Sequence, residues 1–329
     1  MMLKTRYRLA GCIFLIISTA CATDFETSEL PLGAHFVIPV SVAGKDVQFL
    51  LDTGAPRSVV STSMKELLGL HSVAGPSRSI TDATGLQRNL RSWVRTPSLQ
   101  VGAIPFDDCD MIELPLGDWF SADGILGLDV VRSLAWIFDP EAGLLVTTGK
   151  DQLESELARR QLAICERLPL HVDATRNEIF IDTLCNGEMV TLRIDTGTQT
   201  TSLTRRIVER LQLPDGTELA LRRREQATER IRLGLEQEGI QATVTAREGA
   251  FQSIGVHGQP RRTTSYHLER LKVGGRTFCD LCVSVRPELA KKAASDQENL
   301  GLLGLDVLGD MAWALDWNHS ELLIITSDI

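Results

Sequence analysis

The chain carries no HExxH zinc motif, no G-x-S-x-G nucleophile elbow and no Walker-type glycine loop, which removes the usual signatures of metallopeptidases, serine hydrolases and P-loop enzymes. Its six histidines (His35, His71, His171, His257, His267 and His319) are scattered without ligand spacing. Cys279-Asp280-Leu281-Cys282 has no second CxxC to complete a metal site, so neither a metal nor a cofactor is expected. Positive charge is also short. The formal net charge is −9, which makes the chain a poor partner for nucleic acid or an anionic membrane surface. Arg222, Arg223, Arg224, Arg230 and Arg232 are interleaved with Glu225, Glu229, Glu236 and Glu238, the pattern of a solvated helical face. Long apolar runs are missing as well. The longest near the start, Leu9 to Ile17, is well short of the roughly 20 residues that span a bilayer.

That short run has a different meaning. Lys4, Arg6 and Arg8 precede it, and Ser18-Thr19-Ala20-Cys21-Ala22 closes it. A charged segment, an apolar segment and a small-residue cleavage zone predict an export leader over residues 1–21. Two readings of the cleavage site stand. Cys21 after Ser18-Thr19-Ala20 has the form of a lipoprotein cysteine, which would be lipidated and attach the mature chain to a membrane, although Ser18 stands where leucine is usual. Ala20-Cys21-Ala22 equally fits ordinary signal peptidase. Cys109, Cys165, Cys185, Cys279 and Cys282 then remain, an odd number that leaves at least one thiol free. They read as half-buried strand cysteines.

What the chain does contain is one tetrapeptide theme written twice. Asp52-Thr53-Gly54-Ala55 ends the apolar run Val47 to Leu51, and Asp195-Thr196-Gly197-Thr198 ends Met189 to Ile194. Asp-Thr-Gly is expected about 0.06 times by chance in a chain of this length, so two copies point to duplication. The repeat goes further. Gly124-Ile125-Leu126-Gly127-Leu128-Asp129-Val130 recurs as Gly301-Leu302-Leu303-Gly304-Leu305-Asp306-Val307, followed by Ala135-Trp136 and Ala312-Trp313, then Asp139 and Asp316. The same 177 positions separate Gly127 from Gly304 and Trp136 from Trp313. Gly44 and Gly187 share the spacing of the two aspartates, and Val101-Gly102 and Phe106 match Val273-Gly274 and Phe278. The chain is two copies of one unit.

At these residues the chain resembles the aspartic peptidase clan, in particular the retropepsin-like domains of bacterial secreted proteins. Each half looks like one retropepsin-type lobe. The resemblance implies an all-β, two-lobed acid-protease fold of two β-barrel lobes with pseudo-twofold symmetry, short helices and a helical insertion in the second lobe. It implies that Asp52 and Asp195 are catalytic, that Thr53, Gly54, Thr196 and Gly197 hold the dyad, and that Ile125-Leu126-Gly127 and Leu302-Leu303-Gly304 cross behind the catalytic turns and support them. It also places substrate-binding flaps at Asp82, Ala83, Thr84 and Gly85 and at Val256, His257 and Gly258. Pepsin-like members carry a flap tyrosine, whereas Tyr7 lies in the leader and Tyr266 outside either tip. Retropepsin-type flaps do not need it.

The layout follows from the duplication. The first lobe spans residues 30–149, with paired strands over 36–42 and 47–51 and a short helical turn over 63–68. A helical connector is expected over 150–168, with Asp151 and Glu154 as a capping box and Leu153, Leu157 and Ile164 at helical spacing. The second lobe spans 169–329 and carries a charged, helical insertion over 214–249. Two carboxylates about 3 Å apart cannot both ionise comfortably and share one proton, which suits them to activating a water against a peptide carbonyl. The expected activity is aspartic endopeptidase cleavage of an extended peptide or protein substrate. The alternative is an inactive peptide-binding envelope lipoprotein using the same cleft. Both lobes in one chain imply a monomer, and the leader implies a periplasmic or membrane-anchored location.

Overall fold

A computed structural model describes residues 27–31, 36–81, 87–116, 120, 122–223, 225–226, 252–254, 260–286 and 301–327. The leader with Cys21, both flap tips (Asp82 to Gly85 and Val256 to Gly258) and most of the 214–249 insertion lie outside the described residues.

The fold is mostly β and consists of two closed barrels and a sheet shared between them. In the first barrel the strands run Val37–Val42, Lys45–Leu51, Gly124–Leu126, Val59–Ser61, Ile104–Leu114 and Gln87–Val101 in spatial order. Pairing of Val40 with Val101 and of Val42 with Leu99 closes the ring. The second barrel repeats that order with Glu178–Cys185, Glu188–Ile194, Gly301–Leu303, Ser202–Thr204, Arg276–Arg286 and Ser265–Val273, closed where Cys185 pairs with Leu271. Burial alternates along Val37–Val42, as one face turns inward and the other outward. Along Lys45–Leu51 the alternation gives way to continuous burial towards the Asp52 end. There the strand lies between two neighbours and is covered on both faces. Each opening hairpin turns on two residues of positive φ, Ala43-Gly44 and Asn186-Gly187, which matches the twist of the strands they join.

The shared sheet binds the lobes. Its strands lie in the order Ser28–Pro31, Leu144–Thr148, Ala135–Asp139, Trp313–Asp316, Glu321–Ser327 and Leu162–Pro169. At its centre the two repeats meet antiparallel, with Ile137 opposite Ala314 and Trp136 opposite Leu315. Trp136 and Trp313 are buried, and their indole N–H groups donate to equivalent carbonyls, Val131 at 2.9 Å and Leu308 at 3.0 Å. One sheet face is covered by Leu153 and Leu157, which pack with Ile137, Val146, Ala314, Leu323 and Ile325.

Two expectations are corrected here. The helix of the 150–168 connector covers only Leu153–Arg159, after a short 3-10 turn at Lys150–Gln152, and Leu162–Pro169 is a strand. Backbone pairing with Glu321–Ser327 overrides the helical spacing of Leu157 and Ile164. The helix is capped by Gln152 without a side-chain bond rather than by the Asp151–Glu154 box, because Asp151 accepts from Asn318 at 2.9 Å instead. Within the 214–249 insertion, residues 217–223 and 225–226 are helical. All five cysteines of the described residues are free, with Cys185 buried and Cys165 and Cys279 exposed.

Candidate active site

The parallel pairing of Lys45–Leu51 with Gly124–Leu126 brings the chain to Asp52, whose amide donates to the Leu126 carbonyl at 3.0 Å. The second lobe repeats this with Glu188–Ile194 and Gly301–Leu303, and the Asp195 amide donates to Leu303 at 3.1 Å. Beyond each strand the backbone folds back on the carboxylate. Asp52 Oδ1 accepts from the amides of Gly54 (2.8 Å) and Ala55 (3.0 Å), and Asp195 Oδ1 accepts from Gly197 (3.1 Å). Behind the turns, Gly127 and Gly304 pass so close to the backbone at Arg57 and at Thr200 that no side chain would fit. Their amides donate to the hydroxyls of Ser58 and Thr201, each at 3.1 Å.

The two turns interlock. Thr53 N–H donates to Thr196 Oγ1 and Thr196 N–H donates to Thr53 Oγ1, both at 3.1 Å. Each hydroxyl then donates across the lobes, Thr53 to the Ile194 carbonyl at 3.0 Å and Thr196 to the Leu51 carbonyl at 2.7 Å. Both threonines are fully buried, so these four bonds form where no water competes. A further tie runs from Asn177, which donates to the Pro56 carbonyl at 2.7 Å. The carboxylates are brought together: a side chain on Gly54 would overlap the Asp195 carboxyl group, and one on Gly197 would overlap that of Asp52.

This proximity is felt electrostatically. The Asp52 carboxyl group is pushed up from 3.8 to about 7, first by burial and then by the negative charge of Asp195. The guanidinium of Arg193 and the amides of Gly54 and Ala55 oppose the rise without cancelling it. A pair of adjacent carboxyl groups of which one retains its proton near neutrality can donate one hydrogen bond and accept another in the same site.

Residues 38–130 match the family described as Aspartyl protease, a segment that spans the first barrel and the Asp52 turn. With that match in the first lobe, the two closed barrels fit a two-lobed, retropepsin-like fold. The second lobe joins the first in that fold through the same strand order and the same turn. No curated protein matches the chain. The match supports a protease-type function for this aspartyl protease fold.

Several residues at the site escape the sequence reading. Asp129 accepts from Ser58 N–H (2.9 Å) and Oγ (2.8 Å), and Asp306 accepts from Thr201 N–H (2.9 Å) and Oγ1 (2.7 Å), so each acid fastens the segment that follows its Asp-Thr-Gly turn. The signal was present in the repeated Gly-Leu-Asp-Val. Arg193 and Glu178 also lie beside the dyad, paired at 2.8 Å. Elsewhere, Asp316, His319 and Glu321 bring possible ligand atoms within 4.8 Å of one another, a grouping that the scattered histidines did not suggest. Their atoms already have partners, since Asp316 accepts from the amides of Asn318 and His319, and Glu321 pairs with Arg167.

Proposed function

We propose that the chain is an aspartic endopeptidase that hydrolyses peptide bonds in extended segments with a water activated between Asp52 and Asp195. The observation that carries this reading is the pair of carboxyl groups seated over each other's turn glycine and held by four buried threonine hydrogen bonds. Such a pair holds one proton. The ionised carboxylate takes a proton from the attacking water, the neutral one hydrogen-bonds the scissile carbonyl, and the leaving amine is protonated as the tetrahedral intermediate collapses. Thr53, Gly54, Thr196 and Gly197 keep the acids in register, and Gly127 and Gly304 let the supporting segments approach.

The substrate would be an extended segment, since strand-like backbone pairing satisfies its polar groups while alternate side chains enter pockets. Side chains beside the scissile bond would enter pockets between the apolar strands, favouring hydrophobic residues there. The leader of the sequence supports action outside the cytoplasm on envelope or secreted proteins, with Cys21 as the attachment point if it is lipidated.

The test is cleavage of a peptide library by the purified protein, read by mass spectrometry. We expect internal cuts in unfolded peptides that disappear in Asp52→Asn and with a statine-type inhibitor. Peptide binding without cleavage would favour a binding lipoprotein, and cleavage that survives Asp52→Asn would overturn the dyad. The mass of the mature N-terminus separates a lipidated Cys21 from an unmodified one.

A further inference from the structure

The molecular twofold fails in charge at a position beside the dyad. Two residues before Asp52 stands Leu50, part of the apolar cluster with Trp93 and Ile125. Two residues before Asp195 stands Arg193. Its Nη1 donates to Glu178 Oε1 at 2.8 Å and its Nη2 lies 3.5 Å from Asp195 Oδ2, so the guanidinium bridges the two acids. All three side chains are largely withdrawn from solvent, at 14 %, 17 % and 7 % exposure for Arg193, Glu178 and Asp195. The Arg193 Nε is buried and has no hydrogen-bond partner among the described residues. A buried guanidinium with an idle N–H is a costly choice where the other lobe places leucine. It must do something that a leucine cannot.

We propose that Arg193 is a positioning residue that polarises the dyad, holding Asp195 as the ionised member so that the shared proton resides on Asp52. The proposal rests on the aspartic peptidase reading above. The charged groups facing Arg193 are Asp195, Glu178 and Asp52, and those facing Asp52 are Asp195 and Arg193. Burial alone would pull the guanidinium towards neutrality, but the three carboxyl groups outweigh it and hold the charge in place. A fixed cation within 4 Å favours the charged form of the carboxylate it touches, and Arg193 touches Asp195 on one side of the dyad only. The ionised Asp195 then pushes the proton affinity of Asp52 up.

The catalytic roles follow. As the water oxygen bonds to the carbonyl carbon, its proton passes to Asp195, and the carbonyl oxygen takes the proton of Asp52. On collapse the C–N bond breaks, the amine nitrogen takes the proton from Asp195, and one hydroxyl of the intermediate returns its proton to Asp52. Both acids end as they began.

The experiment compares the wild type, Arg193→Lys and the double variant Arg193→Leu with Glu178→Gln, which supplies the first-lobe residue without leaving a buried unpaired anion. Two readouts are taken: the pH profile of kcat/KM on a cleaved peptide, and ¹³C NMR titration of the aspartate carboxyl groups. In the double variant we expect the acid limb of the profile to rise by about 1–3 pH units, with kcat changing more than KM. Arg193→Lys should retain most of the wild-type behaviour. An unmoved limb in the double variant would overturn the proposal, leaving Arg193 a structural residue. If the double variant does not fold, the wild-type titration decides, because the first dyad carboxyl group to ionise must be Asp195 and an assignment to Asp52 refutes the idea. The NMR titration does not need turnover, so a protein that cleaves no peptide would fail the proposed function while leaving this test intact.

Discussion

The carboxyl group of Asp195 occupies the space that a side chain on Gly54 would need, and the relationship is mirrored between Asp52 and Gly197. Each turn glycine is therefore small for the sake of the opposite lobe's acid. It adds to the local reason, room for the turn amides to reach their own carboxylate.

Gly54→Ala should accordingly act through Asp195. We expect a loss of about 1–3 kcal/mol, the scale of overpacking in a filled interior, together with a fall in hydrolysis of at least about tenfold. In an Asp195→Gly background the same alanine should cost much less, measured by urea denaturation in a double-mutant cycle. Strict additivity would show that the methyl group meets something other than the carboxyl group.

The threonine lattice makes a separate prediction. Thr53→Val keeps the shape of the side chain but leaves the Thr196 amide and the Ile194 carbonyl without their partner in a dry interior. An orphaned buried group costs about 1–3 kcal/mol, so the variant should be destabilised by at least that much and lose activity as the dyad loosens. Thr53→Ser, which retains the hydroxyl, should recover most of both. Equal thermal transitions for the valine and serine variants would contradict the lattice.

Stability should fall as pH rises through the range in which Asp52 ionises. Below 3.8 the group is protonated in folded and unfolded chains alike, and between 3.8 and about 7 the folded chain binds more protons. Ionisation then costs stability that is fully lost above the upper value. Asp52→Asn removes this penalty. It should match the wild type near pH 4, exceed it at pH 8, and reduce peptide cleavage by about 10²–10⁴-fold. Denaturation curves at both pH values check the first part, and a variant weaker than the wild type at pH 8 would reject it.

Asp306 offers a contrast with its repeat partner. Burial pushes its carboxyl group up to about 6 against the hydrogen bonds from Thr201, and its Oδ2 is buried without a hydrogen-bond partner among the described residues. Asp129, in the first lobe, has Arg57 at 3.9 Å from its Oδ2, while at Asp306 the charge of Arg223 opposes the rise without a hydrogen bond to Oδ2. The sign is the same as for Asp52, so Asp306 ionisation destabilises the fold as pH rises through about 6. Asp306→Asn keeps the Oδ1 acceptor and carries no charge. It should raise the thermal midpoint at pH 8 relative to pH 4, and Asp129→Asn should do so less. A larger effect at Asp129 would mean that the arginine does not compensate that site.

Much of this was legible in the chain. The duplicated Asp-Thr-Gly, the repeated Gly-Leu-Asp-Val and the shared Ala-Trp announced two like lobes, and the apolar runs ahead of each aspartate marked the strands that present it. The apolar spacing of Leu162–Pro169 suits a helix as well as a strand, and only an available partner edge, Glu321–Ser327, settles the choice. Arg193 was visible as the single charge among the apolar residues nearest Asp195, yet nothing in the run revealed that Glu178 would face it.

By itself the sequence determined the duplication, the strand-ending turns and the two acids, because alternation, turn residues and repeated spacing are local properties that neighbouring residues impose on each other. The tertiary structure decided what those acids meet. Thr53 and Thr196 stand 143 positions apart, and Asp195 reaches the glycine of the opposite turn. Contacts at that separation are set by the closing of two barrels and the antiparallel join of Ala135–Asp139 with Trp313–Asp316, which no short-range pattern encodes.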